Sequence, residues 1–205
     1  NYVSIKAPMF SFMRLDKADP LLGVEMASTG EVACIGEDFS DALIKSLEAA
    51  EMNIPIYGGN VLISLGGEEL KKKVIPLAKK LKDLGFTIFA TEDTALALKN
   101  NGIYAVRLYK IHEYGMEPNI MGCLQNGAID LVINIPLPTT VEEKFRKIME
   151  DEYKIRRMAV DYNLPVIINL QLAEALINAI ENVRKRERSI KSLNEYHATL
   201  KEIYW

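Results

Sequence analysis

The sequence has 205 residues, of which 49% are hydrophobic, and its formal net charge is −3. This length is enough for one domain with a buried core, or for one domain plus a fragment. Basic residues are mixed with acidic ones rather than gathered in a block, which argues against nucleic-acid binding. The longest apolar runs, such as Val61 to Leu65, are far shorter than the roughly 20 residues of a membrane-spanning helix, and no signal peptide precedes them. We therefore expect a cytoplasmic globular protein that binds neither nucleic acid nor membranes.

Cysteine and histidine are not spaced for a metal site. Cys34 and Cys123 are far apart and neither belongs to a C-x-x-C pair, and His112 and His197 have no second His or Cys at ligand spacing. We expect reduced cysteines that serve in packing, and no bound metal.

The first 56 residues have an irregular pattern. The run from Tyr2 to Phe12 is rich in β-branched and aromatic residues, and Asp19-Pro20 and Gly23 then interrupt the chain. A helix is predicted further on, because apolar residues recur at helical spacing at Phe39, Leu43, Leu47 and Ala50. So short a segment is a poor candidate for an independent core. We predict that residues 1–56 are the end of a preceding domain with a linker helix, and Asn1, which is not an initiator methionine, agrees with this.

After Tyr57-Gly58-Gly59 the pattern changes to five short apolar runs that alternate with helical stretches. The runs are Val61 to Leu65, Thr87 to Ala90, Ala105 to Leu108, Leu131 to Ile135 and Val166 to Asn169. Continuous apolar strands separated by helices are typical of a parallel sheet covered on both faces. Residues 57–205 are therefore predicted to form an α/β domain with a doubly wound, five-stranded parallel sheet in three Rossmann-like layers.

Polar residues cluster where these strands are predicted to end, which is the edge at which open α/β sheets bind ligands. The six candidates are Ser64, Lys71, Thr91, Thr94, Lys110 and Asn134. Ammonium groups, hydroxyls and an amide, together with the neighbouring glycines, suit a phosphorylated small ligand. A simpler role stays open for the threonines, which often only cap a helix start, and most lysines of the first sheet-domain helix are expected to be solvated.

The same edge is poorly supplied for catalysis. Glu92 and Asp93 are its only adjacent carboxylates, and the sequence has no Ser/His/Asp set, no Walker A loop and no G-x-G-x-x-G segment. We expect no catalysis by this chain alone.

Two segments in the first part of the sequence have a specific residue pattern. They are Asp19 to Val32, which reads DPLLGVEMASTGEV, and Lys6 to Phe12. The first is similar to a signature near the end of the large chain of carbamoyl phosphate synthase, and the second resembles the strand before that signature, in the second ATP-grasp half. Later segments follow the order of the methylglyoxal-synthase-like regulatory domain, namely Leu84-Gly85-Phe86, Ala90-Thr91, Asn126-Gly127 and Ile155-Arg156-Arg157. The resemblance covers essentially the whole chain.

The resemblance implies a regulatory role within a larger enzyme. In that family the large chain is an ATP-dependent ligase that makes carbamoyl phosphate for pyrimidine and arginine synthesis. It uses ATP, bicarbonate, Mg or Mn, K, and ammonia that a glutaminase small subunit releases from glutamine. The terminal domain binds an allosteric effector, and the resemblance implies UMP or IMP here, no cofactor in this fragment, and a homo-oligomer.

The six candidates fall where nucleotide-sensitive members of the family contact phosphate and ribose. The resemblance implies that Lys71 and Lys110 neutralise phosphate, that the threonines donate hydroxyls, and that Asn134 binds ribose or base. Lys110 favours a phosphate over an acetylated amino acid, because members that bind the latter carry an aromatic residue there.

Three positions depart from the family pattern. The family's T-x-G-T turn reads Thr91-Glu92-Asp93-Thr94, so a glycine is missing and two carboxylates lie beside the expected phosphate. Pro136 stands where nucleotide-binding members often carry a hydroxyl. Ala7 stands where some bacterial members have a glutamate that helps to bind ornithine, which argues against activation by ornithine.

Two alternatives stay open. A methylglyoxal synthase, a lyase of the same fold, needs a catalytic aspartate in a G-G-D-Q segment and a histidine before the last strand. The corresponding segment here is Met116 to Asn119, and no histidine lies between Glu113 and Pro165. The other alternative is an oligomerisation domain with a vestigial pocket, because the family's terminal domain also lies at oligomer contacts.

Overall fold

The computed structural model describes residues 2–113, 115–136 and 146–201. The chain begins with two antiparallel strands, β1 (Val3–Met9) and β2 (Gly30–Gly36), followed by the helix α1 (Phe39–Ala49), where the apolar stripe predicts one. Gly36 is required at the junction, because a Cβ atom there would lie 2.3 Å from the backbone nitrogen of Ala42. The Asp38 side chain caps α1 by accepting a hydrogen bond from the Asp41 N–H at 2.9 Å.

A second sheet of parallel strands forms the centre of the molecule. Its strands are β3 (Asn60–Leu65), β4 (Thr87–Thr91), β5 (Val106–Leu108), β6 (Leu131–Ile135) and β7 (Val166–Ile167). They lie in the order β5-β4-β3-β6-β7, so β3 is central and pairs with β4 and β6. The predicted five-stranded parallel sheet is confirmed. The last strand stops short of its predicted end because Asn169 caps the next helix, accepting from the Leu172 N–H at 2.8 Å.

Helices follow the strands along the chain. They are α2 (Glu68–Asp83), α3 (Glu92–Lys99), α4 (Ile120–Gln125), α5 (Arg146–Asp161), α6 (Leu170–Val183) and α7 (Leu193–Lys201). Gly85 follows α2 with a φ of +81°, a conformation that favours glycine and ends the helix where the sequence predicts.

Apolar side chains cover both faces of the parallel sheet, as a doubly wound fold requires. Val61, Ile63 and Leu65 of β3 pack with buried residues of α2, α3 and α6. Leu62, between them, points the other way and packs with buried residues of α4 and α5. This alternation sends Ser64, like Leu62, toward the face that α4 and α5 cover.

The segment before Tyr57 packs onto the sheet domain. Leu43, Ile44 and Leu47 of α1 belong to the same apolar core as α6. The predicted division of the chain at residues 56 and 57 stays a prediction, and the two parts share a hydrophobic interior. Within the described ranges, no helix is both long and apolar enough to cross a lipid bilayer.

Candidate functional site

A cavity of about 70 Å³ lies at the carboxyl ends of β3, β4 and β5 and against α5, and it has several times the room that one water molecule needs. It is lined by Ser64, Leu65, Gly66, Gly67, Lys71, Thr91, Asp93, Lys110, Asp151, Glu152 and Ile155. Four of the six predicted site residues are in this lining, namely Ser64, Lys71, Thr91 and Lys110. Thr94 and Asn134 are buried but do not line it.

The turn from β3 into α2 lines the cavity and begins the helix without a side-chain cap. Gly67 takes the N-cap position with a φ of +78°, and no side chain caps the helix. The preceding Gly66 N–H donates to the Ile135 carbonyl at 3.0 Å, which ties the turn to β6. An uncapped helix start has unpaired N–H donors and a partial positive charge, and both favour an anion.

Lys71 is the buried lysine among those of α2. Its exposed fraction is 8%, and its Nζ atom lies 2.7 Å from Glu68 Oε1. The side chain of Glu68 is 77% exposed, so the carboxylate that pairs with Lys71 lies largely in solvent. Lys72, one residue on, makes the same kind of pair with Glu69 at 2.9 Å, but its side chain is 69% exposed. The lysine that lines the cavity is therefore distinguished by burial and not by charge.

Thr91 and Thr94 form a buried pair of hydroxyls at the start of α3. Thr91 Oγ1 donates to Thr94 Oγ1 at 3.3 Å. Thr91 occupies the N-cap position, but its side chain makes no capping hydrogen bond. The simpler interpretation of this side chain as a helix cap is therefore wrong, and the Thr91 hydroxyl lies in the cavity lining.

Lys110 and Asp93 line the cavity from two different elements. The Nζ atom of Lys110 lies 4.0 Å from Asp93 Oδ2, at the outer limit of an ion pair. Glu92, next to Asp93, turns instead to Arg107 at 3.0 Å and does not line the cavity. Only one of the two carboxylates that replace the family's glycine turn therefore lies at the site.

Two further carboxylates, which we did not predict, come from α5. Asp151 and Glu152 are both buried, and Asp151 Oδ2 contacts His112 Nδ1. Burial raises the pKa of Glu152 to about 7, although the positive charges of Arg156 and Lys110 oppose this rise. Helical spacing could have found Glu152, since it lies three residues before Ile155 on the buried face of α5.

Asn134 makes its polar contact away from the cavity. It pairs with Ser64 across β3 and β6, and its Oδ1 atom accepts a hydrogen bond from Arg156 Nη1 at 2.8 Å. The Asn134 Nδ2 atom has no partner in the part of the chain that the structure describes. Arg156 also forms a two-point ion pair with Asp19, through Nε at 2.8 Å and Nη2 at 2.6 Å. Asn134 therefore connects β6 to the Asp19-Pro20 turn.

Arg157 holds the same N-terminal turn through backbone contacts. Its Nη1 atom donates to the carbonyl oxygens of Phe12, Leu15 and Ala18 at 3.0 to 3.2 Å. The consecutive arginines that the sequence resemblance singles out therefore fasten residues 12–19 to α5.

The cavity as a whole combines opposite charges. Its lysines are Lys71 and Lys110, and its carboxylates are Asp93, Asp151 and Glu152. Among residues 2–113, 115–136 and 146–201, no three His, Cys, Asp or Glu side chains form a group that could hold a metal ion. Such a lining suits an organic ligand that carries both an anionic group and hydrogen-bond donors.

Comparison with known proteins agrees with the resemblance seen in the sequence. Residues 73–168 match the family model of the MGS-like domain. The chain is 43% identical over 200 residues to the carbamoyl phosphate synthase large chain, C-terminal section, of Methanocaldococcus jannaschii, covering 98% of this chain and 31% of that protein. It is 40% identical to the carbamoyl phosphate synthase large chain of Archaeoglobus fulgidus, covering 96% of this chain and 17% of that protein.

A human relative matches at similar strength. The chain is 38% identical to the mitochondrial carbamoyl-phosphate synthase [ammonia] of Homo sapiens, over 96% of this chain and 12% of that protein. The chain thus spans a third or less of the length of these relatives. It belongs to the family formed by the C-terminal, MGS-like regions of carbamoyl phosphate synthase large chains.

Proposed function

We propose that the strand-end cavity binds a nucleoside monophosphate such as UMP or IMP, and that this chain is the effector-binding region of a carbamoyl phosphate synthase. The observation that carries the proposal is the convergence of four groups from four separate elements on one cavity. The four elements contribute one residue each: β3 contributes Ser64, α2 contributes Lys71, β4 contributes Thr91, and the loop after β5 contributes Lys110. Ammonium groups and hydroxyls are the side-chain groups that bind phosphate oxygens.

The buried ammonium of Lys71 supports a phosphate at this position. Its partner Glu68 is mostly exposed, so that carboxylate can turn into water while a ligand oxygen takes its place. The uncapped start of α2 adds backbone N–H donors next to it. Because Lys71 is already desolvated when the cavity is empty, less free energy is spent on removing water when the ligand binds.

The parent reaction belongs to the same proposal. We infer that this region acts with the remainder of a synthetase large chain and with a glutaminase small subunit, in a cytoplasmic homo-oligomer. The whole synthetase would use ATP, Mg or Mn, and K to make carbamoyl phosphate for pyrimidine and arginine synthesis. This region would itself hold no cofactor and would change the synthetase's rate through effector binding.

Titration with mononucleotides tests the effector site directly. UMP or IMP at 100 times the dissociation constant should stabilise the folded chain by about 2.7 kcal/mol, which a melting curve detects and calorimetry measures independently. Acetylated amino acids serve as the comparison, because the two lysines favour the phosphate. If no phosphorylated ligand shifts the melting temperature at millimolar concentration, the cavity is not an effector site, and an oligomerisation domain becomes the better interpretation.

Asp93→Asn should tighten UMP binding by about 1 kcal/mol. The carboxylate lies in the cavity lining and repels phosphate, and it also competes with the ligand for Lys110. Calorimetry at low and high salt measures the effect, which should shrink as the charges are screened. Glu92→Gln is the matched control, because it removes the same charge from the same helix turn at a residue outside the cavity. If Asp93→Asn abolishes binding instead, the carboxylate contacts the ligand and the phosphate lies elsewhere.

A further inference from the structure

One buried carboxylate oxygen in the strand-end cavity has no hydrogen-bond partner among the described residues. Glu152 is 4% exposed and lines the cavity, and its Oε2 atom accepts no hydrogen bond within the described residues. The other carboxylates of the lining are engaged, since Asp151 contacts His112 and Asp93 lies near Lys110. Buried polar atoms in folded proteins nearly always have a hydrogen-bond partner, and an unpaired one is unfavourable. A donor supplied by a ligand would satisfy Glu152.

Resting on the phosphate site proposed above, we propose that Glu152 accepts a hydrogen bond from a ligand hydroxyl, so that the cavity selects a sugar phosphate over a phosphate that has no hydroxyl. A phosphate group is repelled by a carboxylate and is drawn to Lys71 and Lys110. A hydroxyl has the opposite preference, because it donates strongly to an ionised acceptor. Glu152 lies on α5, which carries none of the cavity's lysines, so the two parts of a sugar phosphate have separate partners.

Asn134, the residue that the resemblance implies for ribose or base, is not placed for this contact. Its Oδ1 atom accepts from Arg156, and its side chain lies outside the cavity lining. Glu152 is therefore the unengaged acceptor that the described lining offers to a hydroxyl. The hydrogen bond from a hydroxyl is strongest when the carboxyl is ionised. Because the pKa of Glu152 is about 7, this carboxyl is mostly ionised above neutral pH.

The test compares ribose 5-phosphate with methyl phosphate at pH 8. Both are phosphate monoesters of nearly equal charge, so the ratio of their affinities reports the hydroxyls and cancels the electrostatic effect on phosphate. Calorimetry on the 205-residue chain should show that the parent prefers ribose 5-phosphate by about 10- to 100-fold, the range expected for a hydrogen bond to a charged group. Glu152→Leu should abolish most of this preference while tightening methyl phosphate, because a repelling charge is removed.

Two additional variants keep the test decisive. Glu152→Gln retains the size and one acceptor oxygen, and should reduce the preference by about three- to tenfold because a neutral acceptor is weaker. It should also melt at no lower temperature than the parent at pH 8, where the parent keeps a buried charge. Glu150→Leu, which removes an exposed carboxylate from the same helix, should leave the preference unchanged.

Each outcome decides for or against the assignment. If the unsubstituted chain, Glu152→Gln and Glu152→Leu all prefer ribose 5-phosphate over methyl phosphate equally, the assignment of Glu152 is overturned, while the phosphate site stays intact. If Glu152→Leu lowers only the advantage of UMP over ribose 5-phosphate, the donor is a base N–H, and the hydroxyl assignment is overturned. If the parent binds neither phosphate ligand, the phosphate site itself fails, and this inference fails with it.

Discussion

Asp19→Ala should lower the free energy of unfolding by about 3 kcal/mol. The Arg156 guanidinium is 3% exposed and donates two hydrogen bonds to the Asp19 carboxylate. The substitution leaves this buried positive charge with a hydrogen bond to the Asn134 amide oxygen and without its ion pair. Breaking a buried ion pair from one side typically costs about 3 to 5 kcal/mol. The lower end applies because the Asp19 side chain is 35% exposed, which lets water replace part of the lost contact. Urea unfolding at neutral pH measures the change.

A double substitution separates the ion pair from other effects of the Asp19-Pro20 turn. Asp19→Ala with Arg156→Met removes the uncompensated charge and replaces it with an apolar side chain of similar length. The double variant should therefore be at least as stable as Asp19→Ala alone. Asp16→Ala, in the same segment but exposed, should change the free energy of unfolding by less than about 0.5 kcal/mol. Additive losses from the two single substitutions would show that Asp19 and Arg156 do not interact.

The fold follows from local pattern to a large extent. Short apolar runs such as Leu131 to Ile135 become buried strands at the predicted positions, because only a sheet covered on both faces can bury every residue of a run. The exact residues at which strands end are harder to predict from the sequence. Asn169 continues a β-rich run in the sequence, yet its side chain is used to cap α6, and this ends the strand two residues early.

The candidate site was predictable only where position in the sheet decides it. Ser64 and Thr91 line the cavity because parallel strands bring their carboxyl ends to one edge. Asn134 lies at the same edge, but its amide oxygen accepts a hydrogen bond from Arg156 of α5. No spacing within the strand predicts that contact, since it depends on how α5 packs on the sheet. The same holds for the carboxylate of Glu152, whose burial is a property of the assembled layers.

Lys71 shows how position along a helix identifies the lysine that lines the cavity. It lies three residues before Val74 and seven before Ala78, which are both buried, whereas Lys72 and Lys73 lie on the exposed side. A lysine-rich helix therefore offers one ammonium group to the interior and the rest to water. Charge composition alone does not distinguish them.

Lys71→Met should weaken UMP binding by about 10- to 100-fold, the loss expected when a charged hydrogen bond to phosphate is removed. The stability of the unliganded chain should be unchanged or slightly higher. Methionine fills a similar volume at this buried position, and Glu68 stays hydrated because its side chain is 77% exposed. Calorimetry measures the affinity, and urea unfolding without ligand measures the stability. The two readouts should therefore move independently.

Lys72→Met is the matched control for this substitution. It removes one positive charge from the next residue and breaks an ion pair of the same i,i+3 spacing, but at a side chain that is 69% exposed and outside the cavity. Any long-range effect of net charge on phosphate binding is nearly the same in both variants and is screened by salt. The difference between them should persist at high salt, because a direct contact in a buried site is screened much less. Equal losses in the two variants would mean that Lys71 acts only through the general field of the helix, and the phosphate would then have to be placed nearer Lys110.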